Sequence, residues 1–371
     1  MSINEENRSI INDSSLNIID RIIKEGKNYG RCNYGNNKRI SISCIPSNDN
    51  LDIRNIIYED SLSNMLSFIG FDVTREYYYN NIYMEEYKKE LDSIRISLDN
   101  YTNEEIISSD GTADEVLSKL QRSGKCYIDN DSLWLKTTDL YDKKDRILVN
   151  SDGTYTSFFL YISYVLDRLN NGYDRVIDII SSNNSDYIKV IKSCIEIAGL
   201  DSSKYEIIGI SNYNVLKNNE EYQFNDIKEL VDIIDVNRIR YSFISEEYSN
   251  VLNINLDLLK ENNIDNSIYY IEKAYTKICT ILRNKSYEID GTIDSESAYT
   301  ILNRLVYFEK VIIYVIKKRE PSIMIFYLYE IASLFNDYDS NKDIDKNLIT
   351  AVRIVMDNVS NMLGIILREE I

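Results

Sequence analysis

Hydrophobic and polar positions in the first half of the chain follow the pattern of alternating strands and helices. Residues 39–45 (RISISCI) alternate with period two and are followed by Pro46, which predicts a half-buried strand. Residues 56–69 have helical spacing and end at Gly70, and residues 71–79 predict a second strand. A strand, a helix and a strand in this order predict the start of a parallel sheet.

The same order of elements returns further along the chain. Residues 155–169 have the spacing of a long helix, and residues 175–180 form an apolar run suited to a buried strand. An amphipathic helix is predicted over 186–198, and another strand over 205–210. The two halves therefore predict one doubly wound sheet.

The segment between the two halves and the end of the chain follow other patterns. Residues 85–125 are charged and have helical spacing, which predicts a helical insertion, and residues 146–149 predict a short strand after it. After about residue 225 the strand pattern fades, and apolar residues recur at helical spacing over 256–284, 296–318, 321–337 and 345–367. We therefore expect an α/β domain followed by an all-α helical bundle.

Composition narrows the chemistry that this chain can perform. No histidine occurs among its 371 residues. Histidine is the side chain that titrates near neutral pH, so its absence excludes Ser-His-Asp, Cys-His and two-His metal arrangements. Neither GxGxxG nor GxxxxGK[ST] is present. Any reaction must use carboxylates, lysine, tyrosine, cysteine or the backbone.

Charge and cysteine content bound the setting of the protein. A net charge of −18 disfavours a non-specific nucleic-acid binder, although it leaves room for a local basic face. The cysteines are odd in number and widely spaced, which indicates neither a disulfide framework nor a zinc site. The N-terminus has no basic-then-apolar signal, and no run of about 18 apolar residues occurs. We expect a soluble cytoplasmic protein with no metal, no cofactor, no membrane association and no DNA partner.

Three segments of the first half stand out in order: FDVTREYYYNN (71–81), LWLKTTDLYDKKDRILVNSDGT (133–154) and NGYDRVIDII (171–180). They resemble segments of arginyl-tRNA synthetases, and the resemblance extends in the same order over nearly the whole chain. In the second half, NNIDNSIYYIEKAYTKICTIL (262–282) and AVRIVMDNVSNMLGI (351–365) resemble helices of that family's anticodon-binding domain. The resemblance implies a class I synthetase-like Rossmann domain with a helical insertion, followed by a helical anticodon-binding-like bundle.

The resemblance also implies domain boundaries. Residues 1–38 would be an N-terminal helical remnant, and residues 39–235 a degenerate Rossmann-like catalytic domain with its insertion at about 85–130. Residues 236–371 would be the helical anticodon-binding-like domain. We expect the family's additional N-terminal domain, which contacts the tRNA elbow, to be absent, so that the chain is a truncated paralogue.

The positions that would form the ATP site depart from the family's pattern. In place of the histidine-containing segment that lines the ATP phosphates, the chain has a shorter segment in which Asp52 replaces a histidine and Leu51 replaces a glycine. A carboxylate beside polyphosphate repels it, whereas imidazole donates a hydrogen bond. The loop 216–224, in place of the lysine-rich second signature, is short and acidic, with Lys217 as its cation. The degenerate ATP-site positions are Asn48, Asp49, Leu51, Asp52, Arg54, Asn183 and Asn184.

The positions that would bind the amino acid have also changed. Tyr161 stands where the family has the aspartate that pairs with the guanidinium group, and Ser43 stands where it has a glutamate. Asn80 and Ser157 complete the set of degenerate amino-acid-site positions. A guanidinium group is best bound by a bidentate carboxylate, so these changes predict the loss of arginine binding.

Several functional patches have thus changed while the packing pattern is intact, which indicates a fold retained for something other than aminoacylation. The first hypothesis is a catalytically inactive synthetase-like protein, a pseudoenzyme, that acts as a tRNA-binding or protein-binding regulatory module. The alternative is a divergent aminoacyl-tRNA synthetase or ATP-dependent aminoacyl transferase with a rebuilt site. A third is a structural subunit that pairs with a full-length synthetase or a biosynthetic enzyme. The candidate tRNA-binding residues are Tyr270, Lys273, Lys277 and Arg353.

Overall fold

A computed structural model describes residues 17–45, 52–79, 84–181, 185–284, 296–339 and 345–370. The first part contains α1 (17–25), β1 (Arg39–Ile45), α2 (Ile53–Phe68), β2 (Asp72–Tyr79), α3 (Met84–Ser93), β3 (Asn100–Asn103), α4 (Glu104–Ser109) and α5 (Thr112–Arg122). It continues with β4 (Cys126–Asp129), β5 (Ser132–Leu135), β6 (Arg146–Val149), α6 (Ser157–Asn170), β7 (Arg175–Ser181), α7 (Ser185–Ile197) and β8 (Tyr205–Ile210).

Five of these strands form a parallel sheet in the order β3-β2-β1-β7-β8. The strands at its centre are buried on both faces, as their apolar sequences require. The chain leaves β1 in one direction through α2 to β2, and it enters β7 on the other side through α6. The strand order therefore reverses between β1 and β7, and the crevice at the carboxyl ends of these two strands is where such sheets bind ligands. The predicted doubly wound sheet is confirmed.

The segment predicted as a helical insertion contains more than helices. Residues 100–103 form β3, the edge strand of the main sheet, so the prediction of uniform helix over 85–125 is wrong there. The sequence NYTN shows no apolar alternation, and the stability of β3 comes from pairing with β2. β4, β5 and β6 form a separate antiparallel sheet beside it.

A third, small sheet joins the two parts of the chain. It consists of β9 (Tyr213–Lys217), β10 (Glu220–Glu221) and β11 (Leu252–Asn255), in the order β10-β9-β11, and the sequence pattern did not predict it. Two helices, α8 (Ile227–Ile233) and α9 (Val236–Phe243), lie between β10 and β11 along the chain.

The last part of the described chain is helical, as predicted, but divided more finely. It comprises α10 (Leu256–Lys260), α11 (Ser267–Arg283), α12 (Glu296–Val306), α13 (Phe308–Lys318), α14 (Ser322–Asp339) and α15 (Lys346–Met362). The predicted helix over 256–284 is interrupted because Asn266 donates its side-chain amide to the carbonyls of Leu259 and Glu261, which holds a loop between α10 and α11. The predicted helix over 296–318 is interrupted at Tyr307.

Helix α2 lies where the sheet and the helical bundle meet, and almost all of its residues are buried. One hydrophobic core runs from β1 through α2 into α11, α14 and α15. Within this contact Asp60 on α2 forms ion pairs with Arg75 of β2, at 2.9 Å, and with Arg240 of α9. No helix of the described residues is long and apolar enough to cross a membrane.

Candidate functional site

The crevice at the carboxyl ends of β1 and β7 is bordered by a small polar cluster. Asp52 is the N-cap of α2 and accepts a hydrogen bond from the backbone N–H of Asn55 at 3.3 Å. Ser181, at the end of β7, donates to the carboxylate of Asp52 and accepts from the side-chain amide of Asn55 at 2.9 Å. The Asp52 carboxylate, at the position where the resemblance expects a histidine, therefore accepts a hydrogen bond from the backbone in the first turn of α2. It occupies the helix N-terminus, where an anion would otherwise bind.

Several positions predicted for the site cannot be located in this way. Asn48, Asp49, Leu51, Asn80, Asn183 and Asn184 lie outside the residues that the structure describes. Their assignment to the ATP and amino-acid sites stays a prediction.

Arg54, one of the predicted ATP-site positions, is buried and faces away from the crevice toward the small sheet. Its guanidinium donates to the backbone carbonyls of Ser211 at 2.6 Å, of Asn250 at 2.9 Å, and of Asn212 and Glu247. These loops flank β9 and β11. The side chain thus holds the small sheet against α2, and its donors are occupied by the protein itself.

The pocket predicted for the amino acid is filled by a buried network centred on Asp178 of β7. Tyr161 and Tyr205 donate to one carboxylate oxygen at 2.5 and 2.7 Å, and Arg168 forms an ion pair with the other. Burial, followed by the charge of Asp178, raises the pKa of Tyr161 well above its usual value, so the phenol stays a donor. Asp178 is a carboxylate that sequence reasoning missed, and its hydrogen-bonding capacity is taken by these three side chains.

Ser43 and Glu76 belong to the same network on the neighbouring strands. Tyr164 donates to Glu76 at 2.8 Å and lies 3.0 Å from the Ser43 hydroxyl, and Ser41 donates to the other oxygen of Glu76 at 2.9 Å. The Tyr164 hydroxyl also accepts from Arg168 at 3.2 Å. Both carboxylates of this buried region are therefore bound by protein donors.

Ser157 lies outside this network and contacts a carboxylate from the segment before it. It donates to Glu104 of α4 at 3.0 Å, and Tyr78 of β2 donates to the other oxygen of Glu104 at 3.2 Å. Glu104 is half-buried and stands at the carboxyl end of the edge strand β3. No sequence pattern identified Glu104, because β3 itself was not predicted.

A further carboxyl group is buried on α2, next to the end of β1. Neither oxygen of Glu59 has a hydrogen-bond partner, and burial raises the pKa of this side chain well above its usual value. The pKa of the nearby Cys44 thiol is raised in the same way by burial and then by Glu59. Burial therefore favours the neutral form of both groups.

The loop expected to replace the lysine-rich second signature is a tight hairpin between β9 and β10. Asn218 and Asn219 adopt the left-handed conformation that such a turn requires. The ammonium group of Lys217 lies 4.6 Å from the centre of the Tyr222 ring. A short, closed hairpin holds this lysine against its own strand pair.

Three of the four candidate tRNA-binding residues share one face of α11. Lys273 and Lys277 are exposed, and Tyr270 is half-buried with its ring 5.2 Å from that of Tyr329 on α14. Arg353 on α15 differs, because it forms ion pairs with Glu369 at 2.5 Å and with Asp357 at 3.8 Å.

Three neighbouring residues also bear on this surface. Glu272 of α11 is buried and accepts from Asn237 of α9 at 3.4 Å, so it does not belong to the exposed face. Phe326 on α14 is exposed together with Tyr329, and these two aromatic residues were not predicted. No group of three or more cysteine, aspartate and glutamate side chains in the described residues is arranged to hold a metal ion.

Comparison with known proteins agrees with this architecture. Residues 271–371 match the DALR anticodon binding domain family. The chain is 23% identical to an arginine–tRNA ligase of Oceanobacillus iheyensis and 26% identical to that of Staphylococcus aureus, in each case over 94% of this chain and 81% of the relative. Among solved structures it is similar to Thermus thermophilus arginyl-tRNA synthetase, with a TM-score of 0.77, 12% identity, and coverage of 95% of this chain and 86% of that one.

The parallel sheet, the crevice at its carboxyl edge and the following helical domain define a protein with the class I aminoacyl-tRNA synthetase fold. Within that class the chain is similar to arginyl-tRNA synthetases over most of its length, and its residues 271–371 match the DALR anticodon binding domain.

Proposed function

We propose that this arginyl-tRNA synthetase-like protein forms no arginyl-adenylate and acts as a regulatory module that binds tRNA through its helical domain. The observation that carries the proposal is the state of the amino-acid pocket. The two positions at which the family resemblance expects carboxylates, Tyr161 and Ser43, bear hydroxyl groups that are buried and bonded within the protein.

The electrostatics of the pocket support the same conclusion. A guanidinium group removed from water needs a carboxylate whose oxygens are available, since its desolvation costs several kcal/mol. Asp178 already receives one guanidinium and two phenols, and Glu76 receives two hydroxyls. A bound arginine would have to break these contacts before it formed its own.

The binding half of the proposal rests on the DALR match and on the exposed face of α11. Lys273 and Lys277 supply positive charge, and Tyr270 and Tyr329 supply aromatic rings next to it. Phosphate contacts give tRNA affinity, and exposed aromatic rings stack on unpaired bases. A protein partner at this face remains the alternative predicted from the sequence.

Two assays test the proposal. ATP–pyrophosphate exchange with each amino acid should show no turnover above background, and turnover with any amino acid would refute the catalytic half. Fluorescence anisotropy with total tRNA should show binding that the double variant Lys273→Glu/Lys277→Glu weakens by about tenfold or more at low salt. The matched control is Lys89→Glu/Lys228→Glu, which reverses two exposed lysines on α3 and α8 and should bind as the unmodified protein does.

One observation favours a second candidate function, a divergent ligase with a rebuilt site. Glu104 presents a half-buried carboxylate, held by Tyr78 and Ser157, near the carboxyl edge of the sheet. Glu104 could bind a cationic substrate from α4, whereas the family resemblance expects the binding carboxylates on β1 and α6. In that case exchange activity would be measured, and Glu104→Gln would abolish it while leaving tRNA affinity unchanged.

A further inference from the structure

A cleft of about 600 Å³ opens at the amino edge of the five-stranded sheet, between the sheet and the end of α13. It is bordered by the residues that precede or begin β1, β2, β7 and β8. Strand β1 is roughly 20 Å long at 3.3 Å per residue, so the cleft and the Asp52–Ser181 cluster lie at opposite ends of it. The proposed function uses none of the residues that line this cleft.

The cleft is positively charged in an otherwise acidic protein. Its lining contains four cations and two carboxylates, so its own net charge is +2, whereas the whole chain carries −18. These charged residues are Lys38, Arg175, Lys317 and Arg319, with Asp174 and Glu206. A local positive field of this kind attracts anionic ligands.

The arginines in the cleft are paired, whereas the lysines are available. Glu206 accepts from Arg319 at 3.0 Å and from Arg175 at 3.3 Å, and these contacts join α13 to β7 and β8. Among the described residues, the side chain of Lys38 has no hydrogen bond or ion pair. Lys317 lies with its ammonium group 5.7 Å from the centre of the Tyr34 ring.

Tyr34 is held as an aromatic platform at the mouth of the cleft. Its side chain is 46% exposed, and its ring meets Phe71 edge-on at 6.4 Å. The loop that carries it is attached to the turn before β2, because Gly35 N–H donates to Ile69 and Asn37 N–H donates to Gly70, each at 2.9 Å.

Gly35 makes this attachment possible. A Cβ at this position would lie 2.4 Å from the backbone nitrogen of Phe71. The Tyr34 ring and the nearby backbone of Lys38 are therefore positioned before any ligand arrives, which lowers the entropy cost of binding.

The carboxyl end of α13 faces the cleft and would by itself repel an anion. The backbone N–H of Arg319 and of Glu320 cap the carbonyls of Ile316 and Val315, at 3.3 and 3.1 Å. The guanidinium of Arg319 donates to the Ile316 carbonyl as well, at 2.8 Å. The negative end of the helix is therefore neutralised at the wall of the cleft.

We propose that this cleft binds a nucleotide, whose base stacks on Tyr34 and whose phosphates lie between Lys38 and Lys317. Two ammonium groups suit a di- or triphosphate, and the partly exposed side chain of Phe71, beside the buried Ile40 and Ile316, gives apolar surface for a base. The site is separate from the former ATP position and does not depend on the proposed tRNA binding.

Isothermal titration of the full chain with ADP, pyrophosphate and adenosine tests the proposal. ADP should bind more tightly than either of its parts. Lys38→Ala/Lys317→Ala should weaken ADP and pyrophosphate by about tenfold or more, whereas Tyr34→Ala should weaken ADP by about tenfold and leave pyrophosphate unchanged. The control Lys89→Ala/Lys228→Ala removes two exposed lysines elsewhere and should bind ADP as before.

Three outcomes would overturn the proposal. The first is no heat with ADP at millimolar concentration. The second is pyrophosphate binding as tightly as ADP, which would indicate an anion site without base recognition. The third is ADP binding that survives Lys38→Ala/Lys317→Ala but is lost in Asn55→Ala, which would assign the nucleotide to the carboxyl edge of the sheet. Circular dichroism spectra and melting midpoints of all variants should match, so that loss of binding cannot arise from unfolding.

Discussion

The substitution Gly364→Ala should break the contact between α2 and the helical bundle through one buried arginine. Gly364 follows α15 with φ +67°, and a Cβ there would lie 2.0 Å from Nη2 of Arg240. Arg240 is fully buried and donates to the carbonyls of Leu363 and Ile94, at 3.1 and 3.0 Å, and to Asp60. Although an arginine is flexible, this one cannot move aside without losing these partners.

Two contributions set the magnitude of the effect. A left-handed conformation costs a residue with a Cβ about 1–2 kcal/mol. Breaking one partner of a buried ion pair costs about 3–5 kcal/mol, with the lower end apt here because Asp60 keeps Arg75. Gly364→Ala should therefore lower the free energy of unfolding by about 4–5 kcal/mol.

Gly199→Ala is the matched control. Gly199 has φ +71°, and a Cβ there would meet nothing within 4 Å. This variant should lose only the conformational part, about 1–2 kcal/mol. In an Arg240→Ala background, where the guanidinium is absent, Gly364→Ala should likewise cost only about 1–2 kcal/mol.

Urea unfolding followed by circular dichroism at 222 nm measures all four variants. Equal costs for Gly364→Ala and Gly199→Ala would refute the reasoning, as would an undiminished cost of Gly364→Ala in the Arg240→Ala background. If Gly364→Ala alone does not fold, recovery of soluble protein in the double variant would still support the proposed collision.

Three further predictions concern the crevice and its buried groups. Burial raises the pKa of Glu59 above its ordinary value of 4.5, so the folded protein keeps this proton at pH values where the unfolded chain releases it. The free energy of unfolding therefore falls as the pH rises toward the folded-state pKa. Glu59→Gln should flatten the fall in unfolding free energy as the pH rises above 4.5, by up to about 1.4 kcal/mol per pH unit, and parallel curves in urea titrations would contradict this. Tyr161→Phe should destabilise the protein by about 1.5–3 kcal/mol, since it removes a donor to the charged Asp178, and an unchanged urea midpoint would argue against that contact. Asp52→Ala should cost about 1 kcal/mol through loss of the N-cap, and Asp52→Asn, which also caps helices, should restore most of it in the same measurement.

The central strands and the long helices could be predicted from local pattern because their periods extend over many residues. The observed β1 and β8 coincide with the predicted ranges. The apolar residues that recur at helical spacing along α11 and α15 face the core, as expected. β3, β9 and β11 were not predicted; each is four or five residues long and is stabilised by pairing with its partner strand.

The sequence named candidate site positions but not their contacts in the fold. The sequence identified Asp52, Arg54 and Tyr161 as departures from or matches to a family pattern. It could not show that Asp52 caps α2, that Arg54 holds four carbonyls of distant loops, or that Tyr161 donates to Asp178. These partners come from segments far apart in the chain.

The sequence by itself thus determined the class of fold, the resemblance to arginyl-tRNA synthetases and the absence of imidazole chemistry, since each depends on residue identity or on local period. Only the tertiary structure decided where the buried charges are satisfied and where positive charge collects. Both follow from long-range packing: a buried polar group must find a partner, and which partner it finds is set by the elements that meet around it.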